Sequence, residues 1–230
     1  MTSAALVGST GLVGSHILST LLSLPTISNV YALARREPKV QDTKLHPLIS
    51  SENSSWSSQL TSISPPPSIF YSSLGTTRGA AGGVENQRKI DYDLNLELAQ
   101  AAKKAGVKVY VLISTSGASS TSRLAYPKMK GELEDAVKSL GFDNTVIVRP
   151  GLIVGAREEF RGPELVFRKI AGALGSLSSA LKDPWAQDAD VIAKAAVAAG
   201  NKALAGEAPS AVWEVGQSEV VRLGRTEWKA

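Results

Sequence analysis

The run Ala4-Ala5-Leu6-Val7-Gly8-Ser9-Thr10-Gly11-Leu12-Val13-Gly14-Ser15-His16-Ile17-Leu18 constrains the fold more than any other part of the chain. It reads as a short apolar strand, a turn with glycines at 8, 11 and 14, and a helix. Such a turn brings bare backbone N–H groups and a helix N-terminus against a phosphate pair. The G-x-x-G-x-x-G spacing lies one residue away from the G-x-G-x-x-G pattern of dinucleotide-binding turns. The competing reading is a glycine-rich turn that serves only close packing.

The pattern that follows is a strand–helix alternation. Leu12, Ile17, Leu18, Leu21 and Leu22 recur at helical spacing up to Pro25. Val30–Ala34 is a buried strand, and residues 41–68 read as a polar, serine-rich excursion with at most one short strand or helix near Trp56–Ile63. Ser68–Ser73 is the next strand and ends in Leu74-Gly75-Thr76-Thr77-Arg78. A single helix is expected over 85–105, with Ile90, Leu94, Leu98, Ala101 and Ala102 inward and Gly106 as its cap. Val107–Ile113 is a central strand. A helix opening at Tyr126 buries Met129, Leu133, Val137 and Leu140, and a strand at Thr145–Val148 closes on Arg149-Pro150-Gly151. Helices at Pro163–Leu174 and Asp190–Leu204 precede a last strand, Val212–Val215. This alternation calls for an α/β fold, a single-domain Rossmann-type doubly wound parallel sheet with helices on both faces. Residues 1–155 are the expected cofactor-binding core, and 156–230 a small C-terminal substrate portion.

Composition excludes several classes. With no cysteine there is no disulfide, thiolate ligand or cysteine nucleophile. The net charge of +4 comes without a block of five like charges, so no nucleic-acid partner is expected. No apolar run reaches the length of a membrane span. His16 and His46 are the only histidines and stand in no ligand-spaced cluster, so no metal site is expected. The first 36 residues lack Asp and Glu and end in Arg35-Arg36, which mimics a transit peptide. Cleavage there would remove two strands and the glycine turn, so residues 1–36 are read as folded structure that at most doubles as an uncleaved address.

Two positions carry the chemistry. Arg35 and Arg36 follow the second strand about twenty residues past the last glycine, where dinucleotide folds place the residue that reads the ribose. An acidic side chain there would accept from a 2′-hydroxyl, whereas two guanidinium groups suit a 2′-phosphate, which favours NADP(H) over NAD(H). The bland alternative is a pair of solvated arginines. Tyr126 and Lys130 share one helical face, four residues apart. An ammonium beside a phenol favours the phenolate, and a hydroxyl from the preceding strand end can steady a substrate oxygen. Y-x-x-x-K by itself arises often by chance. Here it comes with the glycine turn, the two arginines and the hydroxyl-rich Ser114-Thr115-Ser116-Gly117.

On these residues the chain resembles the short-chain dehydrogenase/reductases, in the atypical branch with a G-x-x-G-x-x-G motif. The anchors are Gly8/Gly11/Gly14, Arg35-Arg36, Leu74-Gly75-Thr76-Thr77-Arg78-Gly79, Ser114–Ala118, Tyr126-x-x-x-Lys130-Gly131-Glu132 and Arg149-Pro150-Gly151. The L-G-T-T-R-G segment is similar to the subgroup of the human HIV Tat-interacting NADPH-binding protein and its fungal counterparts, peripheral proteins of the mitochondrial outer membrane. The resemblance implies that Thr10, Gly11, Leu12 and Val13 cradle the pyrophosphate, Arg35 and Arg36 hold the 2′-phosphate, and Leu74 and Gly75 lie along the cofactor. It implies Tyr126 as proton donor, with Lys130 holding the nicotinamide ribose and lowering the tyrosine pKa. Ile153 and Arg161 match further cofactor contacts. The helper hydroxyl falls on Thr115 by register, with Ser116 as its neighbour, and the asparagine of many members has Asp91 and Asn95 as nearest candidates. The resemblance implies peripheral membrane association on the cytosolic face of the outer membrane.

Three functions compete. The leading one is an NADPH-dependent reductase of a small carbonyl compound. The second is a non-catalytic NADP(H)-binding sensor or scaffold. The third, a sugar-nucleotide epimerase or dehydratase, shares the tyrosine and lysine but needs a longer C-terminal portion. Trp185, Trp213 and Trp228 are expected either to support C-terminal packing or to line a substrate pocket.

Overall fold

The computed structural model describes residues 2–155, 183 and 185–229. A seven-stranded parallel sheet runs in the order β3-β2-β1-β4-β5-β6-β9. Its strands are β1 (Thr2–Val7), β2 (Ile27–Ala34), β3 (Leu45–Ile49), β4 (Ile69–Ser72), β5 (Val109–Ile113), β6 (Asn144–Val148) and β9 (Val212–Val215). A separate pair, β7 (Leu152–Val154) and β8 (Ala186–Asp188), is also parallel. The helices are α1 (Leu12–Ser23), α2 (Trp56–Thr61), α3 (Arg78–Ala81), α4 (Val84–Arg88), α5 (Asn95–Ala105), α6 (Ala125–Ser139), α7 (Ala189–Leu204) and α8 (Gln217–Val221). The order reverses between β1 and β4, and that switch point opens the crevice at the carboxyl ends of the strands.

Period-two alternation feeds two cores. From β1, Ala4 and Leu6 pack with Ile17 and Leu18 of α1 and Ile192, Ala195 and Ala199 of α7. Ala5 and Val7 point the other way, into a core with Trp56, Leu98 and Leu133 from α2, α5 and α6. Small residues let α7 sit close to the sheet: a Cβ on Gly200 would lie 2.6 Å from Ile69 Cδ1. No described helix is long and apolar enough to cross a membrane.

Two expectations need correction. Residues 41–68 hold both a strand and a helix. β3 pairs with β2 along Val30↔Leu45 to Ala34↔Ile49, and a 3₁₀ turn at Asn53–Ser55 leads into α2. Pro47 argues against a strand in sequence, but β3 is the sheet edge, where a missing N–H costs no ladder bond. His46 also belongs to β3, where it stacks on Tyr31 and bonds Asn29 at 2.8 Å. Second, the helix expected over 85–105 is interrupted by a π-helical turn at Lys89–Leu94. The other expected elements among the described residues lie within a few residues of their expected ends, whereas α3, β7, β8 and α8 had no counterpart in the sequence reading. Trp213 is buried in the α1/α7 core and Trp228 packs against it, whereas Trp185 is exposed. The helix expected at Pro163–Leu174 lies outside the described residues.

Candidate active site

The glycine turn is built by close approach. Gly8 adopts φ +85°, and a Cβ there would fall 2.7 Å from the Ser73 backbone. A Cβ on Gly14 would meet Gly8 O at 2.0 Å and Ser73 Oγ at 2.4 Å, so α1 can start this near the sheet only with glycine at 14. Ser73 fastens the turn from β4, donating its N–H and its hydroxyl to Val7 O at 3.1 and 3.0 Å. Gly11 is the N-cap of α1, and no side chain caps it. The first-turn N–H groups are therefore available to a ligand. Ser9 Oγ, just ahead of them, is buried without a hydrogen-bond partner. A cradle that any Cβ would fill, an orphaned hydroxyl and an uncapped helix start fit a dinucleotide pyrophosphate.

Arg35 and Arg36 stand exposed just past the end of β2, whose Leu33 pairs with Val7 before the turn. Neither guanidinium bonds a described residue. Thr10 is exposed, while Leu12 and Val13 turn toward the core. Ile153 on β7 is half-buried, and a Cβ on Gly155, two residues on, would fall 2.8 Å from Leu12 Cδ1. The end of β7 thus lies against the glycine turn. Arg161 is outside the described residues.

Across the switch point, Leu74-Gly75-Thr76 is clamped from the π-helical turn. Asp91 is buried; its Oδ1 accepts the Thr76 N–H at 2.6 Å, and Gln87 Nε2 donates to Thr76 O at 3.0 Å and to Asp91 Oδ2 at 3.2 Å. Asn95 stabilises the turn itself. Its Nδ2 faces the carbonyls of Leu74, Ile90 and Asp91 at 3.0–3.3 Å, and its Oδ1 accepts from Ser72 Oγ at 2.5 Å. A π turn of this kind re-aims the side chains beside it. Burial raises the Asp91 carboxyl above its usual range, against the opposing pull of the Thr76 N–H and Lys130.

On α6, Lys130 is buried and its Nζ donates to Ile113 O at 2.9 Å. The ammonium's other donors have no described partner. Burial lowers its pKa, opposed by Asp91 and Glu134. Tyr126, one turn earlier, is 43% exposed as a residue, and its hydroxyl bonds no described residue. Its phenol is pushed up to about 12, by loss of hydration first and by the Asp91 charge second. The Lys130 ammonium, expected to lower the phenol, does not offset that rise. Gly131 has a packing role, since a Cβ there would lie 2.2 Å from Ser119 C and Ser120 N.

The hydroxyl-rich end of β5 divides its work. Ser114 is buried and donates to Glu134 Oε1 at 2.5 Å, away from the crevice. Thr115 Oγ1 makes only a 3.5 Å approach to Ser116 O. Ser116 is exposed and its Oγ accepts from Gln217 Nε2 at 3.0 Å. Arg149 binds Glu134 with two nitrogens and reaches Glu214 Oε2 at 2.5 Å through the third. This network ties α6 to β5, β6 and β9. Among the described residues no group of three His, Asp or Glu side chains converges on a metal position.

A family model, HIM1, matches residues 41–172, more than half of the chain. Protein fmp52-1, mitochondrial, of Aspergillus terreus is 54% identical over 98% of this chain and 100% of its own length. Protein fmp-52, mitochondrial, of Neurospora crassa is 48% identical over 99% and 97%. The chain belongs to the HIM1 family.

Solved structures similar to this HIM1-family chain share its fold at low identity. The Bordetella bronchiseptica enzyme WbmH in complex with NAD+ superposes with a TM-score of 0.67 at 18% identity, covering 93% of this chain and 75% of that one. The UDP-glucose 4-epimerase of Thermotoga maritima with UDP-glucose gives 0.65 at 14%, covering 86% and 72%. The parallel, helix-flanked sheet is the fold of these neighbours, one solved with NAD+ and the other with UDP-glucose.

Sequence reasoning passed over Gln87, Glu134, Gln187 and Gln217, and named Asp91 and Asn95 only as stand-ins. A signal for three of them was present. Gln87, Asp91 and Asn95 recur every four residues, a polar stripe beside the inward positions Ile90, Leu94 and Leu98. Gln187 and Gln217 had none, because Gly151, Ser116 and each other, the partners that give them their place, are 30 or more residues away in sequence.

Proposed function

We propose that this chain is an NADP(H)-dependent oxidoreductase that reduces a small carbonyl compound, with Tyr126 as the proton donor. The observation that carries the reading is the pairing, on one face of α6, of an unpartnered phenol and a buried ammonium with free donors. They stand on the carboxyl-end side of a sheet whose switch point holds an uncapped glycine cradle. The backbone of Thr10–Val13, with Gly8 and Gly14 giving it room, takes the pyrophosphate. Arg35 and Arg36 take the 2′-phosphate, and Leu74, Gly75 and Ile153 line the rest. Lys130 offers its free N–H groups to the ribose hydroxyls. A reduced nicotinamide bound there supplies the hydride.

A phenol held near 12 remains protonated at neutral pH, so Tyr126 is set up to give a proton to a developing alkoxide. Thr115 or Ser116 donates a second hydrogen bond to the same oxygen. The cofactor lies within residues 1–155, and 156–230 complete the substrate side of one domain. The relatives named mitochondrial support a place at the mitochondrion, which we assign to the cytosolic face of the outer membrane, held peripherally.

One observation favours a non-catalytic NADP(H) sensor: Lys130 is turned to a backbone carbonyl and nothing in the site depresses the Tyr126 pKa. One comparison separates the two readings. NADPH oxidation is followed against a panel of aldehydes and ketones for the native chain and Tyr126→Phe, with NADPH binding measured in both. Turnover by the native chain that Tyr126→Phe loses, with binding retained, supports the oxidoreductase. Binding without turnover in either supports the sensor.

A further inference from the structure

Four segments meet beside Ser116, and the polar atoms between them form a chain that runs in one direction. Gly151, three residues past the end of β6, donates its N–H to Gln187 Oε1 at 2.7 Å. A backbone N–H can only donate, so this contact fixes which end of the Gln187 amide is oxygen. Gln187 is fully buried on β8; its Nε2 donates to Asp183 O at 2.6 Å and faces Gln217 Oε1 at 3.4 Å. With Oε1 turned to that donor, Gln217 presents Nε2 to Ser116 Oγ at 3.0 Å. The Ser116 N–H is held by Pro150 O at 2.7 Å. Glycine at 151 is what lets the segments close, since a Cβ there would fall 2.3 Å from Trp185 O and 2.5 Å from Gln217 Oε1. That gives the Arg149-Pro150-Gly151 motif a physical reason. The result is a serine whose oxygen accepts from Gln217 and whose own proton bonds no described residue, exposed on the loop between β5 and Tyr126.

We infer that Gln217, oriented by Gln187, is a positioning residue that turns the Ser116 hydroxyl proton into the crevice and makes Ser116 a second hydrogen-bond donor to the substrate oxygen beside Tyr126. The inference rests on the oxidoreductase reading. It names the substrate chemistry as an aldehyde or ketone, whose carbonyl oxygen has two lone pairs to meet two donors. Thr115, whose hydroxyl only approaches its neighbour's carbonyl, is the alternative second donor.

Two measurements test it. Neutron diffraction from deuterium-exchanged crystals of the full chain reads the Ser116 hydroxyl deuteron directly. A deuteron turned away from Gln217 Nε2 supports the inference. A deuteron between Ser116 Oγ and a reversed Gln217 amide overturns it, whether or not the protein has turnover. Kinetics then read the role. Ser116→Ala and Gln217→Leu are each expected to lower kcat by ~10²-fold with the NADPH Kd unchanged, and the double variant to lose no more than either. In Gln217→Glu the carboxylate, ionised above about pH 5, draws the Ser116 proton to itself, so kcat falls as far at pH 7 and recovers as the pH is lowered. A kcat unchanged in Ser116→Ala, or a loss carried by Thr115→Ala instead, overturns the role. If the native chain reduces no carbonyl, the oxidoreductase reading fails and Ser116 loses its assigned role with it, while the neutron result still decides whether Gln217 orients its hydroxyl.

Discussion

Replacing Arg149 with leucine tests what holds the helix of Tyr126 and Lys130 in place. Glu134 is 1% exposed and accepts from Ser114 and from two Arg149 nitrogens, while the Arg149 side chain is 26% exposed. Removing the arginine leaves a buried carboxylate with the Ser114 hydroxyl as its one hydrogen-bond partner among the described residues. Breaking a buried pair in this way costs about 3–5 kcal/mol. Because one edge of Arg149 meets solvent, water can reach the site, and the expected loss lies at the lower end, about 3 kcal/mol. The outer contacts of Glu214 to Arg149 and Lys138, made by a side chain 40% exposed, are together worth about 1 kcal/mol or less. At about 2–4 °C per kcal/mol for a chain of this size, Arg149→Leu should lower Tm by about 6–12 °C and Glu214→Gln by no more than about 4 °C. Glu134→Gln added to Arg149→Leu removes the stranded charge and should recover about half of the loss. Thermal melts at neutral pH read all three. Equal small shifts for the two single variants, or a double variant no more stable than Arg149→Leu, would refute the reasoning.

Three more expectations follow from the site. Asp91→Asn keeps an acceptor for the Thr76 N–H but removes the negative charge that raises Tyr126. The phenol midpoint of the nucleotide-free protein should fall from about 12 toward its ordinary value without reaching it, read as tyrosinate absorbance against Tyr126→Phe; an unmoved midpoint contradicts the assignment. Gly131→Ala should cost about 1–3 kcal/mol in a denaturant melt, because the Ser119–Ser120 backbone must move; native stability would show that the loop yields freely. Asn95→Ala leaves the Ser72 hydroxyl and three carbonyls without their partner, so it should cost about 1–3 kcal/mol and speed amide exchange at Thr76. Unchanged exchange would mean that the π turn does not depend on Asn95.

The parts of this protein that were legible in sequence are those set by local periodicity. β1, α1, β4, α6, α7 and β9 each carry an unbroken apolar pattern, and the glycine turn announces its geometry because only glycine fits at 8 and 14. β3 was illegible because Pro47 reads as a strand breaker until its edge position is known. The π turn was illegible because one inserted residue hardly disturbs the apolar spacing. In the site, Tyr126, Lys130 and the arginines stood out by residue type and offset. The direction of Ser114, the clamp by Asp91 and the glutamine chain to Ser116 depend on which loops the sheet order brings together. Ser116 and Gln217 are about a hundred residues apart.

On the proposed reading, the glycine cradle and the two arginines after β2 bind a 2′-phosphorylated dinucleotide. Titration calorimetry of NADPH and NADH into the native chain and into Arg35→Ala/Arg36→Ala tests it most directly. The expected result is NADPH preferred by the native chain, with an affinity that falls by ~10²-fold in the variant while that for NADH changes by less than about threefold. Equal losses for both cofactors, or no preference for NADPH in the native chain, would contradict it.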